Sequence, residues 1–134
     1  MSGVPINPES LGAPKGYSNG MIGPPGGRVL AVAGQIAWDG EQRIVSADFD
    51  AQFRQALSNV VAVVQEAGGA PEHVLSLTIY VTDKHEYLGT IKGVGAAYRE
   101  LMGKHFPAMA LVEVSALLED EAKVEIQALA VLPA

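Results

Sequence analysis

The sequence predicts a single α+β domain in which a mixed sheet of five or six strands carries two helices on one face. Three observations lead there. Runs rich in β-branched and apolar residues at 28–38, 74–82, 108–114 and 122–132 read as strands. Apolar residues spaced by three and four from 49 to 67, and more weakly from 90 to 103, read as helices. Two helices can cover only one face of such a sheet.

Taken in order, residues 1–15 hold three prolines and little periodicity, which predicts an extended N-terminal arm before one domain spanning 16–134. Tyr17 to Ile22 reads as a first strand, ended by the turn signal Gly23-Pro24-Pro25-Gly26-Gly27. Arg28 to Trp38 reads as a buried strand, and Arg43 to Val45 as a short one after the turn at Asp39-Gly40. In the first helix Phe49, Phe53, Leu57, Val60, Val64 and Ala67 form one stripe, with Ser46 or Asp48 as cap and Gly68-Gly69 as stop. Val74 to Thr82 follows as a strand, and Asp83 to Glu86 as a polar connection. The second helix carries Ile91, Val94, Tyr98 and Leu101, but Gly93 and Gly95 each cost it about 1 kcal/mol relative to alanine.

The last strand divides its residues sharply. Val124, Ile126, Ala128, Ala130 and Leu132 point one way, under the helices; Lys123, Glu125, Gln127, Leu129 and Val131 point the other. That second face is mixed rather than polar, so it predicts contact between subunits.

Composition narrows the function classes. The chain has 134 residues, 49% hydrophobic and 18% charged, enough for a core without staples. It has no cysteine, which excludes disulfides, thiolate nucleophiles and cysteine-based zinc sites. A net charge of −6, with Lys and Arg scattered singly, argues against nucleic acid as a partner. No apolar run is long enough for a membrane span and no secretory signal is legible, so the expected location is the cytoplasm. His73, His85 and His105 are far apart and lack a partner at i+4, so no metal is expected.

Several segments in order resemble the RidA/YjgF family over about residues 16–132. They are Gly16-Tyr17-Ser18, Ala33-Gly34-Gln35-Ile36, Gln52 with Gln55-Ala56-Leu57-Ser58-Asn59-Val60, Glu66-Ala67-Gly68, Tyr80-Val81-Thr82-Asp83, Phe106-Pro107-Ala108, Val112-Glu113-Val114 and Val124-Glu125-Ile126. The resemblance implies a chorismate-mutase-like fold and a homotrimer with small-molecule clefts between subunits. It implies hydrolysis of reactive enamines or imines to a keto acid and ammonia, without a cofactor. It places the family's glutamate at Glu125 and its cleft tyrosine at Tyr17. The family arginine, which clamps the substrate carboxylate, is replaced by Met109, and an asparagine of many relatives aligns near Gly95.

Each candidate residue has a second reading. Glu125 is either a general base or an interface carboxylate. Glu113 either contacts ligand or makes a structural bond between subunits. Tyr17 either lines a cleft or packs, and Gly34 offers its backbone to a ligand or permits close packing. Ala108 and Met109 form the remaining expected cleft wall, with Met109 an adaptable apolar surface in place of a guanidinium. Arg28 and Arg99 are the cations that could take over the clamp. The two functions in view are therefore an imine deaminase of altered substrate range and a non-catalytic small-molecule-binding trimer. A ribonuclease is disfavoured by the acidic charge.

Overall fold

The computed structural model describes residues 2–134. Its main sheet has four strands in the order β3-β6-β4-β5: β3 Arg28–Gln35, β4 Val74–Val81, β5 Ala108–Glu113 and β6 Val124–Leu132. A separate two-stranded ribbon pairs β1 Val4–Ile6 with β2 Gly20–Ile22. The β6 strand runs antiparallel to both β3 and β4, and β4 runs parallel to β5. The mixed character agrees with the sequence reading, but the sheet has four strands where five or six were expected, because β2 pairs with β1 in the ribbon rather than joining it.

Several boundaries differ from expectation. The N-terminal segment is extended at Val4–Ile6, but it pairs with β2 instead of standing alone. The first predicted strand begins only at Gly20, while Ser18 makes a single bridge to Ala108. The predicted strand at 43–45 shrinks to one bridge between Ile44 and Trp38, flanked by bonds from the Asp39 N–H to the Arg43 carbonyl and from the Val45 N–H to the Ala37 carbonyl. The connection after β4 is helical: α2 spans Lys84–Gly89, started by the Asp83 carboxylate accepting from the His85 N–H at 2.9 Å. Among the described residues the α-helices thus number three, not two.

Helix α1, Phe49–Glu66, buries the predicted stripe from Phe49 to Val64, but Ala67, read as its last member, lies just past the helix end and is exposed. Asp48 precedes it without a side-chain cap; Ser46 Oγ instead accepts from the Asp48 N–H. After the helix the chain turns at Gly68, whose φ of 90° lies in the left-handed region that glycine enters without steric cost. Helix α3, Ile91–Met102, forms in spite of its glycines. A Cβ on Gly93 would come within 2.5 Å of Asp50 Oδ2. That glycine therefore gives up helix propensity for a close approach of α1 and α3.

The amide residues of α1 stitch the layers together. Gln52 is fully buried, and its side chain donates to the carbonyls of Ser46 (2.8 Å) and Glu121 (3.0 Å) while accepting from the Lys123 N–H (2.8 Å). Asn59 Nδ2 donates to the carbonyls of Ile36 and Trp38 at the end of β3. Replacing Gln52 with Leu strands three backbone groups, each worth about 1–3 kcal/mol when buried and unpaired. The expected loss is about 3 kcal/mol or more in urea unfolding; a change below about 1 kcal/mol would contradict this role.

Candidate functional site

The sheet sorts its side chains onto two faces. Val124, Ile126, Ala128, Ala130 and Leu132 are buried beneath the helices, as the alternation predicts. By register, Leu77, Ile79 and Val81 share that face with their β5 partners Met109, Leu111 and Glu113. The opposite face carries Glu125, Gln127, Leu129, Tyr80, Ala110 and Val112. No helix lies over it, and Val29, Leu129 and Val112 on it are 73%, 44% and 42% exposed.

The candidate residues fall into two groups. Glu125 and Gly34 form the first, on the uncovered face. The register of β3 against β6 slips between Val32 and Gln35, a bulge that brings Gly34 beside Glu125. A Cβ on Gly34 would lie 2.4 Å from Glu125 Oε2. The glycine therefore leaves room for the carboxylate to lie flat against β3. The two residues border a pocket of about 390 Å³ together with Gln35, Trp38, Gln42 and Leu118. The ion pairs among the described residues join Arg43 to Asp39 and Glu41, Arg54 to Glu100, and Lys123 to Glu86, leaving Glu125 uncommitted.

The second group gathers at the β5 edge. Ser18 donates from Oγ to the Phe106 carbonyl (2.6 Å) and from N–H to the Pro107 carbonyl (3.1 Å), which pins the 16–18 segment along β5. Ser18 bridges Ala108, and Tyr17 just before it is 41% exposed. Met109 points under the helices and lines a cavity of about 280 Å³ with Gly16, Tyr87, Gly95, Arg99 and Phe106. Arg28, the other candidate cation, lies elsewhere: its Nε donates to the Pro133 carbonyl.

Glu113 belongs to neither group. It sits at the far end of β5 and accepts from the Lys84 N–H at 2.9 Å, so it anchors the start of α2. By register it lies on the helix side of the sheet, the side that Met109 shares, and its side chain is exposed. Among the described residues no three His, Asp or Glu side chains are placed to hold a metal ion, and no helix is long and apolar enough to cross a membrane.

Residues 8–132 match the family model described as Endoribonuclease L-PSP. The chain belongs to the RidA/YjgF family. It is 36% identical over 108 residues to the 2-iminobutanoate/2-iminopropanoate deaminase of Salmonella typhimurium, covering 78% of this chain and 80% of that protein. The protein of the same name from Escherichia coli K12 matches with the same identity and coverage. Among solved structures of the family, YyfB from Yersinia pestis, a Rid protein of unknown function, aligns with a TM-score of 0.86 at 31% identity over 98% of this chain and 100% of that one. The Escherichia coli YjgF gene product aligns at 0.66 and 34% identity, over 93% and 92% of the two chains.

Tyr98 closes the floor of the β5-edge cavity. Its ring stacks on Phe106 with centroids 5.5 Å apart, and its hydroxyl donates to the His105 carbonyl at 2.6 Å. Burial pushes its phenol well above the usual tyrosine range. A raised folded-state pKa means that the folded chain holds the proton more tightly. The resulting stability is fully present below the unfolded value of about 10 and is lost as pH rises above it. Wild type should therefore lose stability faster than Tyr98→Phe between about pH 9 and 11, as read from unfolding midpoints; parallel pH profiles would contradict the assignment.

Proposed function

We propose that this chain is a hydrolytic deaminase of a reactive imine or enamine, working as a homotrimer with its small-molecule clefts between copies. The observation that carries the reading is Glu125, unpaired and laid against Gly34 at a bulge on the uncovered face. Similarity to relatives named as imine deaminases supplies the reaction class.

The chemistry asks little of the protein. Water adds to the C=N carbon, the nitrogen takes up a proton, and the carbinolamine collapses to a carbonyl compound and ammonia. Glu125 takes one proton from the attacking water and passes it to the imine nitrogen, then takes the carbinolamine hydroxyl proton and passes it to the departing amine, so that imine and water leave as carbonyl compound and ammonia. Positioning and exclusion of bulk water provide the rest. The cavity at Met109 lies on the helix side of β5, whereas Glu125 lies on the other side of the sheet. One copy therefore cannot bring both to a small substrate, and a neighbour packed on the apolar uncovered face would. In this reading Ala108, bridged by Ser18 at the β5 edge, and Tyr17 beside Ser18 line the cleft.

Met109 favours a second reading, a trimer that binds small molecules without converting them. It leaves no guanidinium at the β5 position where the family's deaminases clamp a carboxylate. The endoribonuclease named by the family model finds no support in a chain of net charge −6.

Imines generated by an amino-acid oxidase separate the two. Under the deaminase reading wild type accelerates their hydrolysis, and Glu125→Gln lowers kcat/KM by about 100-fold or more. Gly34→Ala, whose Cβ displaces the Glu125 carboxylate, produces a comparable loss while the unfolding midpoint stays close to wild type. Normal turnover by Glu125→Gln would refute the base, and no turnover by wild type would leave the binding trimer. Sedimentation should give a trimer; a stable monomer would remove the shared cleft.

A further inference from the structure

The β5-edge cavity contains a cation supplied by a different element from the one carrying Met109. Arg99 lies one helical turn after Gly95 on α3, and both line the cavity. A Cβ built on Gly95 would stand 3.4 Å from Arg99 Nη1, so the guanidinium lies across the space that the glycine leaves open. Among the described residues Arg99 takes part in no ion pair, whereas Arg43, Arg54 and Lys123 are each engaged with carboxylates. The rest of the wall is hydrophobic or aromatic: Phe53, Tyr87, Ile91, Phe106 and Met109. Gly93, on the same helix, faces Asp50 and α1, so the two helix glycines serve different contacts.

We propose that Arg99 is the carboxylate-binding group of this protein, and that the cavity it shares with Met109 selects small carboxylates with an apolar or aromatic body. A guanidinium offers paired, charge-assisted hydrogen bonds to a carboxylate, and its reach from α3 replaces reach from β5. An unbranched thioether beside it adapts to varied apolar groups. At about 280 Å³ the cavity is large enough for a small metabolite. The inference deepens the deaminase reading, making the substrates apolar 2-imino acids, and rests on it only for the reacting group.

Binding of stable probes tests the cavity apart from the chemistry. Phenylacetate and its neutral analogue phenylacetamide are titrated calorimetrically into wild type, Arg99→Gln, and Arg99→Gln combined with Met109→Arg. Arg99→Gln should weaken phenylacetate by about tenfold or more, leave phenylacetamide within about twofold, and regain phenylacetate affinity when Met109→Arg restores a cation from the opposite wall. Equal phenylacetate affinity in wild type and Arg99→Gln would overturn the proposal. So would equal losses of both probes, which would make Arg99 a packing residue, or failure of wild type to bind either. Arg99-dependent binding without imine hydrolysis would sink the deaminase reading alone. Hydrolysis of apolar imino acids unaffected by Arg99→Gln would sink this inference alone.

Discussion

The alternation of side chains along β6 governs the rest of the molecule. This strand is central, bonded to β3 on one side and β4 on the other, so every neighbour inherits its division into faces. One face, from Val124 to Leu132, is sealed by α1 and α3 and holds the hydrophobic core. The other presents Glu125 among apolar residues that no helix covers. A register slip of one residue would exchange the two sets and place a carboxylate in the core. The core and the proposed base thus depend on the same two-residue period.

That division also separates the chemical groups. The cavity between α3 and β5 offers Arg99, Met109 and aromatic walls on the covered side, whereas Glu125 and Gly34 lie on the uncovered side. A substrate that needs both a carboxylate clamp and a base would have to sit where two copies meet. The exposed apolar residues of the uncovered face then have a physical reason, since burying them between copies would both stabilise an assembly and complete a cleft.

Much of the fold was legible because strands and the long helix announce themselves by period. The two faces of β6 appear as read, and so does the stripe of α1 up to Val64. Elements fixed by contacts far apart in sequence were not legible. The ribbon of β1 with β2 depends on a pairing between segments without alternation; α2 was missed for a different reason, since one local Asp83 cap starts it in a polar stretch without apolar periodicity. The glycines of α3 counted against a helix until Gly93 was seen to face Asp50. At the site, Glu125, Gly34, Tyr17 and Met109 could be singled out from sequence motifs, yet Glu113 turned out to anchor α2. The Gln52 and Asn59 amides hold the backbone together. Arg99 stood four residues after Gly95 in plain view, but only the packing of α3 over β5 places it beside Met109.

A cleft shared between copies has one direct consequence, which complementation measures. Arg99→Gln and Glu125→Gln variants, each impaired alone, are unfolded together and refolded as mixed assemblies. If one copy supplies Arg99 and its neighbour supplies Glu125, about one quarter of the clefts formed by random mixing contain both intact residues, and activity returns accordingly. If the mixture is no more active than the two variants assayed separately, the cleft is not shared between copies.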